Sequence, residues 1–235
     1  MPSGAELPDP EQELQQFLYI VSHDLRTPLT AITGFAELAR GLAGTDDPRL
    51  ADFLERIETN ARQMALRLEG VVALSRLQRS EEPDTVVDLE STLLEVLDRV
   101  QPPATSELRM ETDQKVRAPE EMVRKLFRRL VDNCLDHAGR DDVTISISIL
   151  GTAAGDVAIS VEDDGNGIPA QEVPTALSPF GQLNGVTAAG KAGMGLTLAE
   201  RAARILGARF EIGGRPGGGL RVTVTFPPSR VAGTD

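Results

Sequence analysis

Ser22-His23-Asp24-Leu25-Arg26-Thr27-Pro28-Leu29 sets one histidine, flanked by an acid, inside an apolar periodicity. Leu14, Leu18, Val21, Leu25, Ile32, Phe35 and Leu38 recur at helical steps, which predicts an amphipathic helix from about Glu11 to Leu42. His23 is out of phase with that stripe. At about 100° per residue it stands roughly 200° from both Val21 and Leu25, so its imidazole is expected to face water. Taken alone, such a histidine is an ordinary solvated surface residue. Its neighbours supply chemistry. Asp24 can accept the Nδ1 proton and hold the tautomer whose Nε2 lone pair points outward, which makes a neutral imidazole a better nucleophile. Thr27 lies one turn on, on the same face, where its hydroxyl can orient a water. Pro28 removes a backbone donor and is expected to bend the helix just after the site.

Downstream, Gly41 to Pro48 (GLAGTDDP) breaks the helix, and Arg49 to about Arg79 repeats the pattern with Leu50, Phe53, Leu54, Ile57, Ala61, Met64, Leu68, Val71 and Ser75. The unit reads as an antiparallel helical hairpin over residues 11–80, after a disordered lead-in over 1–10. Two helices cannot cover both stripes, so the expectation is a homodimer that closes a four-helix bundle. The alternative is a hairpin packed on the second domain of a monomer.

Ser80 to Asp84 (SEEPD) reads as a polar hinge, and the periods mix beyond it. TVVDLESTLLEVLDRVQP suggests a short strand and a helix, and ELRMETD and KVRAP suggest strands. Pro119 to Ala138 is helical with an acidic start that suits the helix dipole. Val143 to Leu150 and Asp156 to Glu162 alternate as strands. Pro169 to Lys191 is rich in Ala, Gly and Pro with no sustained period, as expected of a functional lid or a disordered loop. Met194 to Leu206 is helical, and Arg209 to Gly213 with Leu220 to Phe226 forms a hairpin across RPGGG. Residues 84–228 are therefore expected to form a two-layer α/β sandwich, with helices on one face of a mixed sheet.

Composition narrows the function. The chain has 235 residues, a net charge of −12 and 40% hydrophobic residues, enough for a real core. The negative charge argues against nucleic acid, and no Trp with one Tyr leaves few platforms for base stacking. The single cysteine, Cys134, precludes an internal disulfide. No apolar run approaches the ~20 residues of a membrane span, and the acidic, Pro-rich start is unlike a signal peptide. The expected setting is the cytoplasm, without membrane insertion.

Three motifs in the second domain suit a nucleotide. Asn133, in FRRLVDNCLDHA, offers a side-chain carbonyl to a hard cation such as Mg²⁺; by itself it would be an ordinary helical Asn. VEDDGNGIP (Val161 to Pro169) ends a strand in acids followed by GxG. Its carboxylate can accept from an exocyclic amino group while Gly165 and Gly167 let the backbone approach a ligand. GKAGMGL (Gly190 to Leu196) brings glycines to a helix start, where free N–H groups favour phosphate.

In this order, with Phe180 between the last two motifs and SHDLRTPL before all of them, the chain resembles the catalytic core of the sensor histidine kinases. SHDLRTPL is similar to their phosphoacceptor box, and the other motifs to the N, G1, F and G2 boxes of their Bergerat-fold ATP-binding domain. The resemblance spans roughly residues 11 to 227. It implies that His23 accepts phosphate from ATP, that Asp24 orients it, and that Thr27 helps water attack a phosphorylated partner, a phosphatase activity. It implies that Asn133 holds the Mg²⁺, Asp163 binds the adenine amino group with Gly165 and Gly167, Gly193 and Gly195 face the phosphates, and Phe180 belongs to the lid. His137, one turn after Asn133, is either a nucleotide contact or an ordinary helix end. The implied partner is a response-regulator receiver domain, whose aspartate takes the phosphoryl group. With no sensing domain recognisable, input through a separate sensor protein is one implied arrangement.

Three departures from the family pattern stand out. Arg129 replaces a frequent Asn four residues before Asn133, Asp136 replaces a basic residue, and Thr197 replaces the second glycine of GLGL. Asp136 is expected to repel phosphate, and Arg128, Arg129 or Lys191 to supply the positive charge. These departures support a second reading, a dimeric phosphotransfer or scaffold protein whose ATP domain is degenerate.

Overall fold

The structure, a computed structural model, describes residues 10–44, 47–78, 82–102, 106–110, 114–137, 143–181, 193–215 and 218–232, without the side chains of 10–20, 22–24, 78, 108–110 and 137. It divides into two compact units, with the division between Val71 and Val72. Of the SEEPD segment, Ser80 and Glu81 lie outside the described residues, as does the lead-in over 1–9.

The first unit holds the helical hairpin up to Val71, and residues 72–78, the end of its second helix, fall in the second unit. α1 (Pro10–Gly41) and α2 (Arg49–Gln78) each follow their stripe to within about a residue of the sequence reading. Between them Gly44 takes φ +83°, a left-handed turn conformation that glycine adopts without strain. Asp47 starts α2 by accepting from the Arg49 backbone N–H at 2.9 Å. The Arg49 guanidinium, reinforced by that backbone bond, holds the Asp47 carboxyl down at about 2. The helices touch through Phe35 and Phe53, stacked at 6.0 Å, with the Arg56 guanidinium 5.4 Å from the centroid of the Phe35 ring. The stripe is only part covered: Leu38 is 53% exposed and Leu54 54%.

In the second unit, β1 (Thr85–Asp88), β2 (Glu107–Met110), β3 (Lys115–Ala118), β4 (Ile145–Gly151), β5 (Val157–Asp163), β6 (Arg209–Gly214), β7 (Leu220–Phe226) and β8 (Val231–Ala232) form two sheets. The larger has the order β2-β4-β5-β7-β6, mixed because β2 runs parallel to β4 while the other neighbours are antiparallel. Alternation decides its faces. Ile145, Ile147 and Ile149 of β4 pair in register with Asp163, Val161 and Ile159 of β5, and this set is buried. The other face is polar, as where the Ser160 and Thr223 hydroxyls meet at 3.0 Å.

Helices α3 (Leu89–Val100), α4 (Glu120–His137) and α6 (Gly195–Ile205) complete the sandwich. α4 packs on α3, α6 and β5. Its Val123, Leu126, Phe127, Leu130 and Val131 are all buried, so truncating Phe127 to Ala would cost about 3–5 kcal/mol. α3 starts on an N-cap, where the Ser91 N–H donates to Asp88 Oδ1 at 2.9 Å.

Two features depart from the sequence reading. The small sheet β1-β3-β8 was not foreseen, because a two-residue strand has no alternation to read. It is secured by Arg230, which pairs with Asp84 and donates to the Arg117 carbonyl at 3.1 Å. The supposedly aperiodic stretch after Pro169 holds a 3₁₀ turn (Ala170–Glu172) and a five-residue helix, α5 (Val173–Leu177). Pro174 lies in its first turn, where its missing N–H costs nothing, and one turn is too short to show a period. The later part of that stretch, from 182 on, lies outside the described residues, which resume at Gly193.

Candidate nucleotide and phosphoacceptor sites

In the sandwich, two clusters meet on consecutive residues of α4. The first surrounds Asp163, the buried last residue of β5. Its Oδ1 accepts from the Gly165 N–H at 2.9 Å and from the Leu220 N–H at 3.2 Å. Two backbone donors on one oxygen fix the carboxylate plane. Gly219 makes this possible: it takes φ +98°, and a Cβ there would stand 1.9 Å from the Asp163 carbonyl oxygen. Gly167 closes the same contact from the other side, since a Cβ on it would lie 2.7 Å from the Gly219 oxygen. Cys134 hydrogen-bonds the Asp163 carboxylate from α4. Burial first, and then the negative charge of Asp163, pushes the Cys134 thiol well above its ordinary value.

The second cluster lies beside Asn133, the residue before Cys134. The Asn133 side chain is buried, and a Cβ on Gly195 would stand 3.6 Å from its Oδ1. Gly195 is the first residue of α6. Gly193, with φ +67°, packs on the Phe180–Gly181 backbone; a Cβ there would come within 3.2 Å of the Gly181 oxygen. Phe180 is itself buried and takes φ 60°. The arrangement can hold a carboxylate in one orientation at one end, and present a buried amide oxygen and the free N–H groups of a helix start at the other.

The structure therefore brings Asp163, Gly165 and Gly167 into one cluster and Asn133, Phe180, Gly193 and Gly195 into the other. Sequence reasoning missed Gly219, Leu220 and Cys134. The RPGGG run was visible but read only as a turn, whereas its last glycine packs on β5. His137 ends α4 one turn after Asn133, with its side chain outside the description. Arg128 is committed to Asp132 at 2.8 Å, while Arg129 is exposed one turn before Asn133; Lys191 lies outside the described residues. In the hairpin, His23 and Asp24 are in mid-helix with their side chains undescribed, and Thr27 is exposed one turn later. The Pro28 side chain is buried.

Two family models match the chain. Residues 13–80 match the His Kinase A (phospho-acceptor) domain, and residues 118–230 match the histidine kinase-, DNA gyrase B-, and HSP90-like ATPase. The chain belongs to the histidine kinase family. The motif resemblance is thus borne out, and so is the order of a helical hairpin followed by an α/β domain. Among relatives of this histidine kinase core, sensor histidine kinase YkoH of Bacillus subtilis is 29% identical over 218 residues, covering 90% of this chain and 47% of YkoH. Cell-division control histidine kinase PdhS of Brucella anthropi is 29% identical over 237 residues, covering 92% of this chain and 22% of PdhS. The chain thus spans about half of the first relative and under a quarter of the second.

Solved structures share the fold. Full-length ShkA in complex with AMPPNP superposes with a TM-score of 0.60 at 21% identity, over 94% of this chain and 47% of ShkA. Histidine kinase AdeS of Acinetobacter baumannii gives 0.55 at 19% identity, over 88% of this chain and 98% of AdeS. Among the described residues, no helix of the kinase core is long and apolar enough to cross a membrane.

Proposed function

We propose that the chain is an ATP-dependent protein-histidine kinase that phosphorylates its own His23 and passes the phosphoryl group to an aspartate of a response-regulator receiver domain. The observation that carries this reading is the fixed Asp163 carboxylate. Its Oδ1 takes both backbone donors, so the group is oriented to accept from the exocyclic amino group of adenine. Gly193 and Gly195 then face the phosphates at the start of α6. Phe180 belongs to the stem of the lid, and His137 contacts the nucleotide from the end of α4. The AMPPNP bound in the fold relative ShkA supports an adenine nucleotide as the ligand.

Mg²⁺ fits the chemistry of the donor, because the buried Asn133 carbonyl is a hard oxygen next to Gly195, a residue with no side chain to cover it. Asn133 would hold the ion, which when bound neutralises phosphate charge. In the hairpin, Asp24 holds the His23 tautomer and Nε2 attacks the γ-phosphorus: an N–P bond forms, the bond to the β-phosphate oxygen breaks, and ADP leaves. The phosphoramidate is a labile, high-energy linkage, so it can pass the phosphoryl group to a carboxylate, which forms an acyl phosphate as the imidazole leaves. Thr27 would orient water to attack the phosphorylated receiver, releasing inorganic phosphate and the free aspartate, a phosphatase activity. The uncovered stripe of the hairpin, with Ala31, Gly34, Phe35, Glu37 and Leu38 lining an open groove, supports a homodimer closed as a four-helix bundle. The expected setting is the cytoplasm, with input reaching the core through a separate sensor protein or a further part of a longer chain.

The test is incubation with γ-labelled MgATP. The wild type should take up acid-labile, base-stable label and His23→Gln should not. Label retained by that variant would overturn the assignment of His23.

A further inference from the structure

We infer that Glu162 and Arg215 are positioning residues: paired on the far face of β5, they hold the β6–β7 turn in the place from which it orients the Asp163 carboxylate. The inference rests on the ATP reading above and adds how this chain sets the adenine end of the site. Alternation along β5 puts Glu162 on the opposite face from its buried neighbour Asp163. Glu162 stands opposite Arg221 in the β5–β7 register, and its Oε1 pairs with the Arg221 guanidinium at 2.7 Å. Its Oε2 is 3.5 Å from Nε of Arg215, the first residue of the turn. One carboxylate thus joins the body of the hairpin to its tip.

The composition of the turn gives that tie its importance. Three of the five residues from Arg215 to Gly219 are glycines, which add backbone freedom and carry no side chain to anchor. Among the described residues of the turn, Arg215 alone has a side chain with which to bond β5. Backbone bonds shape the turn itself: the Arg215 N–H donates to the Gly219 oxygen at 3.2 Å, and the Gly218 N–H to the Arg215 oxygen at 3.1 Å. Arg215 is therefore joined to Gly219, the residue before Leu220, whose N–H donates to Asp163 Oδ1. That bond, at 3.2 Å, is longer than the 2.9 Å bond from Gly165, which belongs to the same loop as Asp163. Of the two donors, Leu220 is the one whose placement depends on an element distant in the chain. The Glu162 side chain is 18% exposed and that of Arg215 28%, so the pair is covered enough to contribute and open enough to be weakened by salt.

The experiment is a double-mutant cycle on the full chain, with Glu162→Gln, Arg215→Gln and the two combined, each assayed for autophosphorylation across a range of MgATP. Each single variant is expected to raise KM for MgATP roughly threefold with kcat little changed, the worth of one half-covered ion pair. The combined variant should match Glu162→Gln, because Arg215 then has no charge left to pair with. Arg215→Lys, which keeps the charge, should regain most of the wild-type KM, and high salt should bring the KM ratio of variant to wild type towards one. Should Glu162→Gln fail to fold by circular dichroism, Arg215→Gln and Arg215→Lys carry the comparison alone. A wild-type KM in Arg215→Gln, or losses that multiply in the combined variant, would overturn the inference. So would a lowered Tm with KM unchanged, the mark of a pair that only stabilises the hairpin. Absence of label in the wild type would instead strike the ATP reading, and the inference with it.

Discussion

Replacing Gly219 by Ala should damage the kinase core far more than its single added methyl suggests. Two costs combine. A residue other than glycine at φ +98° carries about 1–3 kcal/mol of backbone strain. The new Cβ would also stand 1.9 Å from the Asp163 carbonyl oxygen, a backbone atom of β5 that no rotamer change relieves. Overpacking of that kind costs about 1–3 kcal/mol. A total near 3 kcal/mol, at roughly 2–4 °C per kcal/mol for a domain of this size, lowers Tm by about 6–12 °C. The same shift pulls the Leu220 N–H away from Asp163, so nucleotide affinity should fall as well. Gly213→Ala is the matched control: it lies in the same β-hairpin, has no atom within 4 Å of the new Cβ, and should move Tm by no more than about 2 °C. Thermal unfolding followed by circular dichroism reads both. If Gly219→Ala unfolded at the same temperature as Gly213→Ala, the packing of the β6–β7 turn on Asp163 would be wrong.

Other expectations follow from single contacts. Asp88→Ala should cost about 1 kcal/mol at pH 7 through loss of the α3 cap. The Ser91 N–H holds the Asp88 carboxyl below its ordinary range, so that contribution is complete above about pH 3.9 and fades as the pH falls through the lower folded value; urea titrations of both proteins should converge in acid and stay apart at neutrality. Cys134 should react with a disulfide reagent only as the domain opens, without the acceleration between pH 7 and 9 that an exposed thiol shows, because burial and then Asp163 raise its thiol value; prompt reaction in the native protein would contradict its placement. Sedimentation should give twice the 25.2 kDa chain mass for the wild type and one chain mass for Leu38→Glu, whereas a monomeric wild type would remove the four-helix bundle.

The hairpin was legible because its helices are long, and a stripe sustained over about seven turns leaves little room for another reading. The strands β4, β5 and β7 were legible from strict alternation. What escaped was short or came from contacts distant in the chain. β8 is two residues, and its place depends on Arg230 reaching Asp84 across most of the domain. α5 is five residues opened by a proline. Asp163, Asn133, Gly165, Gly167, Gly193 and Gly195 were found because motif spacing marks them. Gly219 and Cys134 were not, since their roles arise only when the β6–β7 turn and α4 close on the end of β5. Thr197 reads in sequence as a lost glycine, but Gly193-Met194-Gly195-Leu196 already supplies the glycine motif, so Thr197 replaces none.

The central claim is that the site built on Asp163 takes an adenine nucleotide, and calorimetric titration of the full chain with MgATP tests it most directly. The account expects saturable binding in the wild type that is lost in Asp163→Ala, with the Ala variant still folded by circular dichroism. No binding by the folded wild type, or equal binding by both proteins, would contradict it.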